Sequence, residues 1–171
     1  MLRLILCSWL SLLPLARAAD LSIANPVVRQ RADPHLTRHT DGWYYFTATV
    51  PEYDRLEVRR ARTLAALAAA EPKTIWRKHA TGPMGSHIWA PELHHIDGKW
   101  FIYFAAGGAE KEKVWHIRIY VLENAAANPL DGAWIERGEL KTNWPSFSLD
   151  ATTFVHRGTR YLVWAQKAAA I

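Results

Sequence analysis

The sequence predicts an all-β propeller of which about two and a half blades are present, and an internal repeat is the first reason. Three segments share one pattern, a Gly-containing turn followed by an aromatic-rich strand: Asp41-Gly42-Trp43-Tyr44-Tyr45-Phe46, Asp97-Gly98-Lys99-Trp100-Phe101-Ile102-Tyr103-Phe104 and Arg157-Gly158-Thr159-Arg160-Tyr161-Leu162-Val163-Trp164. Tight hairpin turns need positive φ, which Gly adopts without a Cβ clash, so each segment reads as the joint between two antiparallel strands. The second reason is the pair of strand-like runs after each of the first two hairpins. These are Leu56–Ala61 and Lys73–Arg77 after the first, and Val114–Val121 and Ala133–Glu136 after the second. Four strands per unit make a propeller blade. The third is that half of the residues are hydrophobic and the single cysteine is Cys7, so burial rather than cross-linking must hold the fold together.

In chain order, Arg3 precedes an apolar run from Leu4 to Leu15 that ends in Ala16-Arg17-Ala18, the pattern of a cleavable secretory signal cut after Ala18 or Ala19. The run is shorter than the roughly 20 residues a membrane span needs. Cys7 lies too early in it, and without the small neighbours, to be a lipid acceptor. The protein is expected to be secreted or periplasmic, with no membrane partner. Loss of Arg3 and Arg17 with the leader lowers the net charge from +5, a mild balance in either form. Arg59, Arg60 and Arg62 form the densest basic cluster, and no nucleic-acid-binding motif accompanies them, so they read as a solvated strand face. Thr63–Glu71 is rich in Ala and Leu and reads as a connecting turn of helix. Glu110-Lys111-Glu112-Lys113, after Gly107-Gly108, reads as a solvated hairpin tip. Propellers close only with a full ring, so a chain ending at Ile171, midway through the third unit, is expected to be a fragment or a truncated gene product.

In a propeller the first strand of each blade lines the central channel. Acids stand on these strands ahead of the glycine turns: Asp33 nine residues before Gly42, Asp150 eight before Gly158 and Glu92 six before Gly98. Carboxylates converging from separate blades are what a sugar-cleaving site needs. Nine Trp and six Tyr supply faces that stack on sugar rings, although core filling uses them equally well.

Arg31-Ala32-Asp33-Pro34, Trp89-Ala90-Pro91-Glu92-Leu93 leading into Asp97–Ala106, and Leu149-Asp150 ahead of Phe154 and Tyr161–Trp164 together resemble glycoside hydrolase family 43. The resemblance implies a five-bladed β-propeller, with residues 1–18 as signal peptide and 19–171 as an incomplete catalytic domain. It implies inverting hydrolysis of arabinose- or xylose-containing plant polysaccharides such as arabinan and arabinoxylan. Asp33 would be the general base, taking a proton from the attacking water. Asp150 would raise the pKa of the general acid and orient it. That acid, a Glu in the family, would come from the following blade and is absent here, so the 171-residue chain alone is expected to have negligible activity.

Trp89 resembles a wall of the sugar subsite, with core packing as the rival reading. Glu92 is a substrate-binding candidate to which no catalytic role is given. His35, His39, His87, His94 and His95 show no zinc-site spacing and read as strand or rim residues, so no metal and no cofactor are expected on this stretch. A calcium ion, where the family holds one, would fall to later blades. The segment His87–Leu93 followed by Phe104–Gly107 most resembles the exo-acting α-L-arabinofuranosidases. β-Xylosidase and endo-arabinanase stay open, as do a non-catalytic carbohydrate-binding propeller and an inert truncation product.

Overall fold

The computed structural model describes residues 23–168; the expected leader over residues 1–18, with Cys7, lies outside them. Two four-stranded antiparallel sheets and one two-stranded sheet follow one another along the chain. The first blade is β1 (Ala32–Arg38), β2 (Tyr44–Thr49), β3 (Arg55–Ala61) and β4 (Lys73–Arg77), paired in that order. The second is β5 (Ser86–Ile96), β6 (Lys99–Gly107), β7 (Arg118–Asn124) and β8 (Ile135–Glu139), and the third unit is β9 (Ser148–His156) with β10 (Thr159–Gln166). This is the arrangement expected of about two and a half blades of a five-bladed propeller.

The three glycine turns do what their chemistry demands. Asp97 and Gly98 take φ of +49° and +81°, and Arg157 and Gly158 +49° and +79°, the paired left-handed residues of a two-residue hairpin turn. The first turn is longer. Gly42 N donates to His39 O and His39 N to Trp43 O, while the Asp41 carboxylate accepts from Trp43 N (2.9 Å) and the Tyr45 hydroxyl (2.6 Å).

Two elements depart from expectation. The run Val114–Val121 becomes a strand only at Arg118, after a 3₁₀ turn at Lys111–Lys113. The carbonyls that a ladder would use are spent closing the loop, Lys113 O on Gly108 N and His116 N, and Val114 O on His87 Nδ1 at 2.9 Å. Glu110 is likewise no free tip residue, because its carboxylate accepts from Gly82 N at 2.8 Å. The Ala133–Glu136 run starts as a strand at Ile135, with Trp134 turned to the core and its Nε1 donating to Pro129 O. The Ala-rich connector forms the short helix α1 (Leu64–Leu67), whose Thr63 cap accepts from Ala66 N. Arg60 and Arg62 stand over the Trp43 ring at 4.5 and 4.0 Å, and Arg59 donates to Ala70 O, so the basic cluster is held against its own blade.

Strand β2 explains how the blades stack. All but its first residue are buried, because alternate side chains face two different partners. Tyr45 joins Leu56, Val58, Ile88, Leu93, Trp100, Ile102 and Phe104 between the first two blades, whereas Phe46 and Ala48 pack with Ala61, Leu67, Val27 and Val28 on the other side. The buried Thr47 and Thr49 on the same strand donate their hydroxyls to Glu57 O and Asp33 Oδ2.

Candidate functional site

Each inner strand carries a register irregularity near its start, and β5 carries two, the first between Ser86 and Trp89 around the positive-φ residue His87. The register of β1 slips between Ala32 and His35, that of β5 between Trp89 and Glu92, and that of β9 between Leu149 and Thr152. One residue in each slip adopts positive φ: Asp33 at +49°, Ala90 at +44° and Asp150 at +55°. Such a bulge breaks the ladder and turns a side chain off the pleat, a device common beside active sites. The structure therefore sets Asp33, Ala90 and Asp150 at matching positions. Glu92, which the sequence placed among the matching acids, stands two residues further on, level with His35 and Thr152. The spacing carried this signal: Ala90 lies eight residues before Gly98, as Asp150 does before Gly158, and Ala90-Pro91 mirrors Asp33-Pro34.

The two levels meet in one pocket lined by Asp33, Pro34, His35, Ala90, Glu92 and Asp150. Asp33 and Asp150 come from the first and third units and Glu92 from the blade between them. Burial, reinforced by the charges of Asp33 and Glu92, pushes the Asp150 carboxyl above its ordinary pKa, although one side of the residue is open to solvent. Burial acts on Glu92 in the same direction, but hydrogen bonds from His94 and Thr152 and the nearby His35 outweigh it and hold Glu92 below the usual carboxylate range. The pocket thus combines a carboxylate fixed in its charged form with a neighbour that holds a proton more readily.

Glu92 Oε2 lies 2.9 Å from His94 Nε2 and 3.8 Å from His35 Nε2. Three such groups within 4.8 Å of one another have the spacing of a metal-ligand set, which the sequence did not reveal because they come from two strands. His35 Nδ1, however, accepts the Leu93 amide at 3.2 Å, which keeps its ring proton on Nε2 and directs that N–H at Glu92. Burial also holds the His35 pKa below its ordinary value against the pull of Glu92, so the ring is a neutral donor at pH 7. Metal ligation through Nε2 would need that proton moved to Nδ1, where the Leu93 N–H already points. The donor set fits carboxylate orientation better than a cation.

Thr49 is the second residue that sequence reasoning missed. Buried at the end of β2, its hydroxyl donates to Asp33 Oδ2 (3.0 Å) and accepts from Ala90 N (2.8 Å), joining the bulges of two blades. Because the Ala90 amide occupies a lone pair, the hydroxyl proton is left for Asp33. Trp89 is half-buried beside Ala90 and meets Tyr53 and His87 edge-on, rather than filling the main core. Of the other histidines, His39 and His95 pack on Trp100 near the first two hairpin turns, well along the strands from the acids.

Fold and pocket together define a glycosidase-type propeller, and comparison with known proteins fixes the family. The pattern described as Glycosyl hydrolases family 43 matches residues 23–170, and the chain belongs to that family. It is similar to an extracellular exo-alpha-(1->5)-L-arabinofuranosidase of Streptomyces chartreusis, at 64% identity over 83% of this chain and 43% of the relative. An alpha-L-arabinofuranosidase of Humicola insolens is 58% identical over 84% of this chain and 29% of its own length. Among solved structures, an alpha-L-arabinofuranosidase from Lactobacillus brevis superposes with a TM-score of 0.80 at 50% identity, covering 86% of this chain and 47% of that one. The chain spans less than half the length of each of these relatives.

Proposed function

We propose that this chain provides part of the active site of an exported, inverting exo-α-L-arabinofuranosidase acting on arabinan, arabinoxylan or oligosaccharides derived from them. The observation that carries the reading is the meeting of Asp33, Glu92 and Asp150, from three successive units, in one pocket. Asp33 is the general base: its carboxylate takes a proton from water as the water oxygen bonds to the anomeric carbon and the glycosidic C–O bond breaks. The leaving oxygen takes its proton from a Glu that we place in the blade after β10. Asp150 faces that acid and keeps it protonated through like-charge proximity. Glu92, held charged by two imidazoles, accepts hydrogen bonds from sugar hydroxyls, and Trp89 packs on the ring. Carboxylates and aromatics suffice for this chemistry, and no cofactor is invoked. Export is supported by the leader pattern and by the word extracellular in the name of the Streptomyces chartreusis relative.

The test is an arabinofuranosidase assay on the full gene product beside its Asp33→Asn variant. Asn retains the shape but cannot accept the proton, and kcat should fall about 10²–10⁴-fold. Undiminished turnover would remove Asp33 from the mechanism.

A further inference from the structure

Strand β5 has a bulge at the matching position but no acid on it. Ala90 takes φ of +44° where Asp33 and Asp150 stand on their own strands, and His87 takes +51° three residues earlier. Residues with a Cβ hold such angles only where the surrounding structure over-determines them. On β1 and β9 the bulge presents a carboxylate to the pocket. On β5 the same backbone conformation turns an amide instead. Three amides of this strand donate to the first blade: Ile88 N to Tyr53 O (3.2 Å), Ala90 N to Thr49 Oγ1 (2.8 Å) and Leu93 N to His35 Nδ1 (3.2 Å).

The middle bond of the three bears on the chemistry. Thr49 is 3% exposed at the end of β2, and its hydroxyl has one proton to give. By occupying an oxygen lone pair, the Ala90 amide orients that hydroxyl so that its proton faces Asp33 Oδ2, 3.0 Å away. Among the described residues, Thr49 is the one side chain that donates to this carboxylate. Asp33 stands in an exposed stretch of β1, residues 32–34, so this bond rather than packing sets its rotamer. A carboxylate tied at one oxygen presents the other at a fixed angle, and a general base needs that accuracy to meet a water aligned with the anomeric carbon.

We infer that Thr49 is a positioning residue for the general base: the acid-free bulge of the second blade orients the Thr49 hydroxyl, which fixes Asp33 Oδ2 and leaves Oδ1 to take the proton from water. This rests on the reading of Asp33 as the base. Ala90 acts here through its backbone alone, and the role accounts for a strained bulge where no acid stands.

The test is a steady-state assay of the full gene product on p-nitrophenyl α-L-arabinofuranoside, with kcat and KM read separately. Thr49→Val keeps the shape and removes the donor, so kcat should fall about ten- to a hundredfold while KM stays within about twofold of the parent value. Thr49→Ser should recover most of the turnover. Thr49→Cys, a weaker donor, should fall between them, and it carries the test if the Val variant does not fold. A double-mutant cycle separates aim from general damage. With Asp33→Ala in place nothing is left to aim, and adding Thr49→Val should lower kcat less than about threefold further. Parent-like turnover of Thr49→Val overturns the inference, as does an equal fractional loss in both backgrounds or a Cys variant as fast as the Ser one. Undiminished turnover of Asp33→Ala would take down the base itself, an outcome distinct from each of these.

Discussion

The inner strands β5 and β9 carry similar bulges but live in different surroundings. On β5, Ile88 and Leu93 flank the bulge at 0% and 1% exposure, gripped by β6 on one edge and by the first blade through Tyr45, Leu56 and Val58. On β9 only the end that bears Asp150 is packed, with Ser148, Ala151 and Thr153 buried against the second blade, while Phe154 on its far half and Tyr161 on β10 stand 49% and 44% exposed. The difference teaches where positional accuracy is concentrated. An acid is held by whatever packs within a few residues of its bulge.

The largest effect that would sharpen this contrast is expected at Trp100, which is fully buried between the first two blades and donates to Ala127 O. Trp100→Ala should cost about 3–5 kcal/mol in urea unfolding, whereas Phe154→Ala, which loses only a stacked exposed partner in Tyr161, should cost about 0.5 kcal/mol. Equal costs would mean that β9 and β10 are as tightly integrated as the second blade. A smaller effect is expected at the joint between bulges. Thr49→Val keeps the shape but strands the Ala90 amide and removes a donor from Asp33, and should cost about 1–3 kcal/mol. Thr49→Ser should restore most of that stability, and failure to do so would assign the loss to the methyl group instead.

The smallest effect concerns charge on β9. A carboxyl whose folded pKa is raised contributes stability that is intact below its unfolded pKa and is lost as pH climbs through the folded value. Asp150→Asn abolishes that loss, so its melting temperature should exceed that of the parent chain by about 1 °C at pH 7. The gain should vanish below about pH 3.9, the ordinary Asp range, where both forms are neutral. A gain that persists at low pH would trace to packing rather than to repulsion from Asp33 and Glu92.

The sequence by itself determined the strand units, the three hairpins and the acids Asp33 and Asp150. These depend on local chemistry: the left-handed freedom of Gly42, Gly98 and Gly158, apolar strand runs, and an acid at a near-constant distance ahead of each glycine in two of three repeats. Only the tertiary structure decided that Ala90 rather than Glu92 occupies the matching bulge, that Thr49 joins Asp33 to Ala90, and that His35 and His94 hold Glu92. Partners 41 and 58 residues apart, as in Thr49 with Ala90 and His35 with Leu93, meet across blades that share no backbone ladder. Within a blade, register propagates along hydrogen-bonded strands and leaves a periodic trace in the sequence. Between blades, side chains and isolated backbone bonds such as Ile88 N to Tyr53 O make the contact, and isolated contacts leave no period to read.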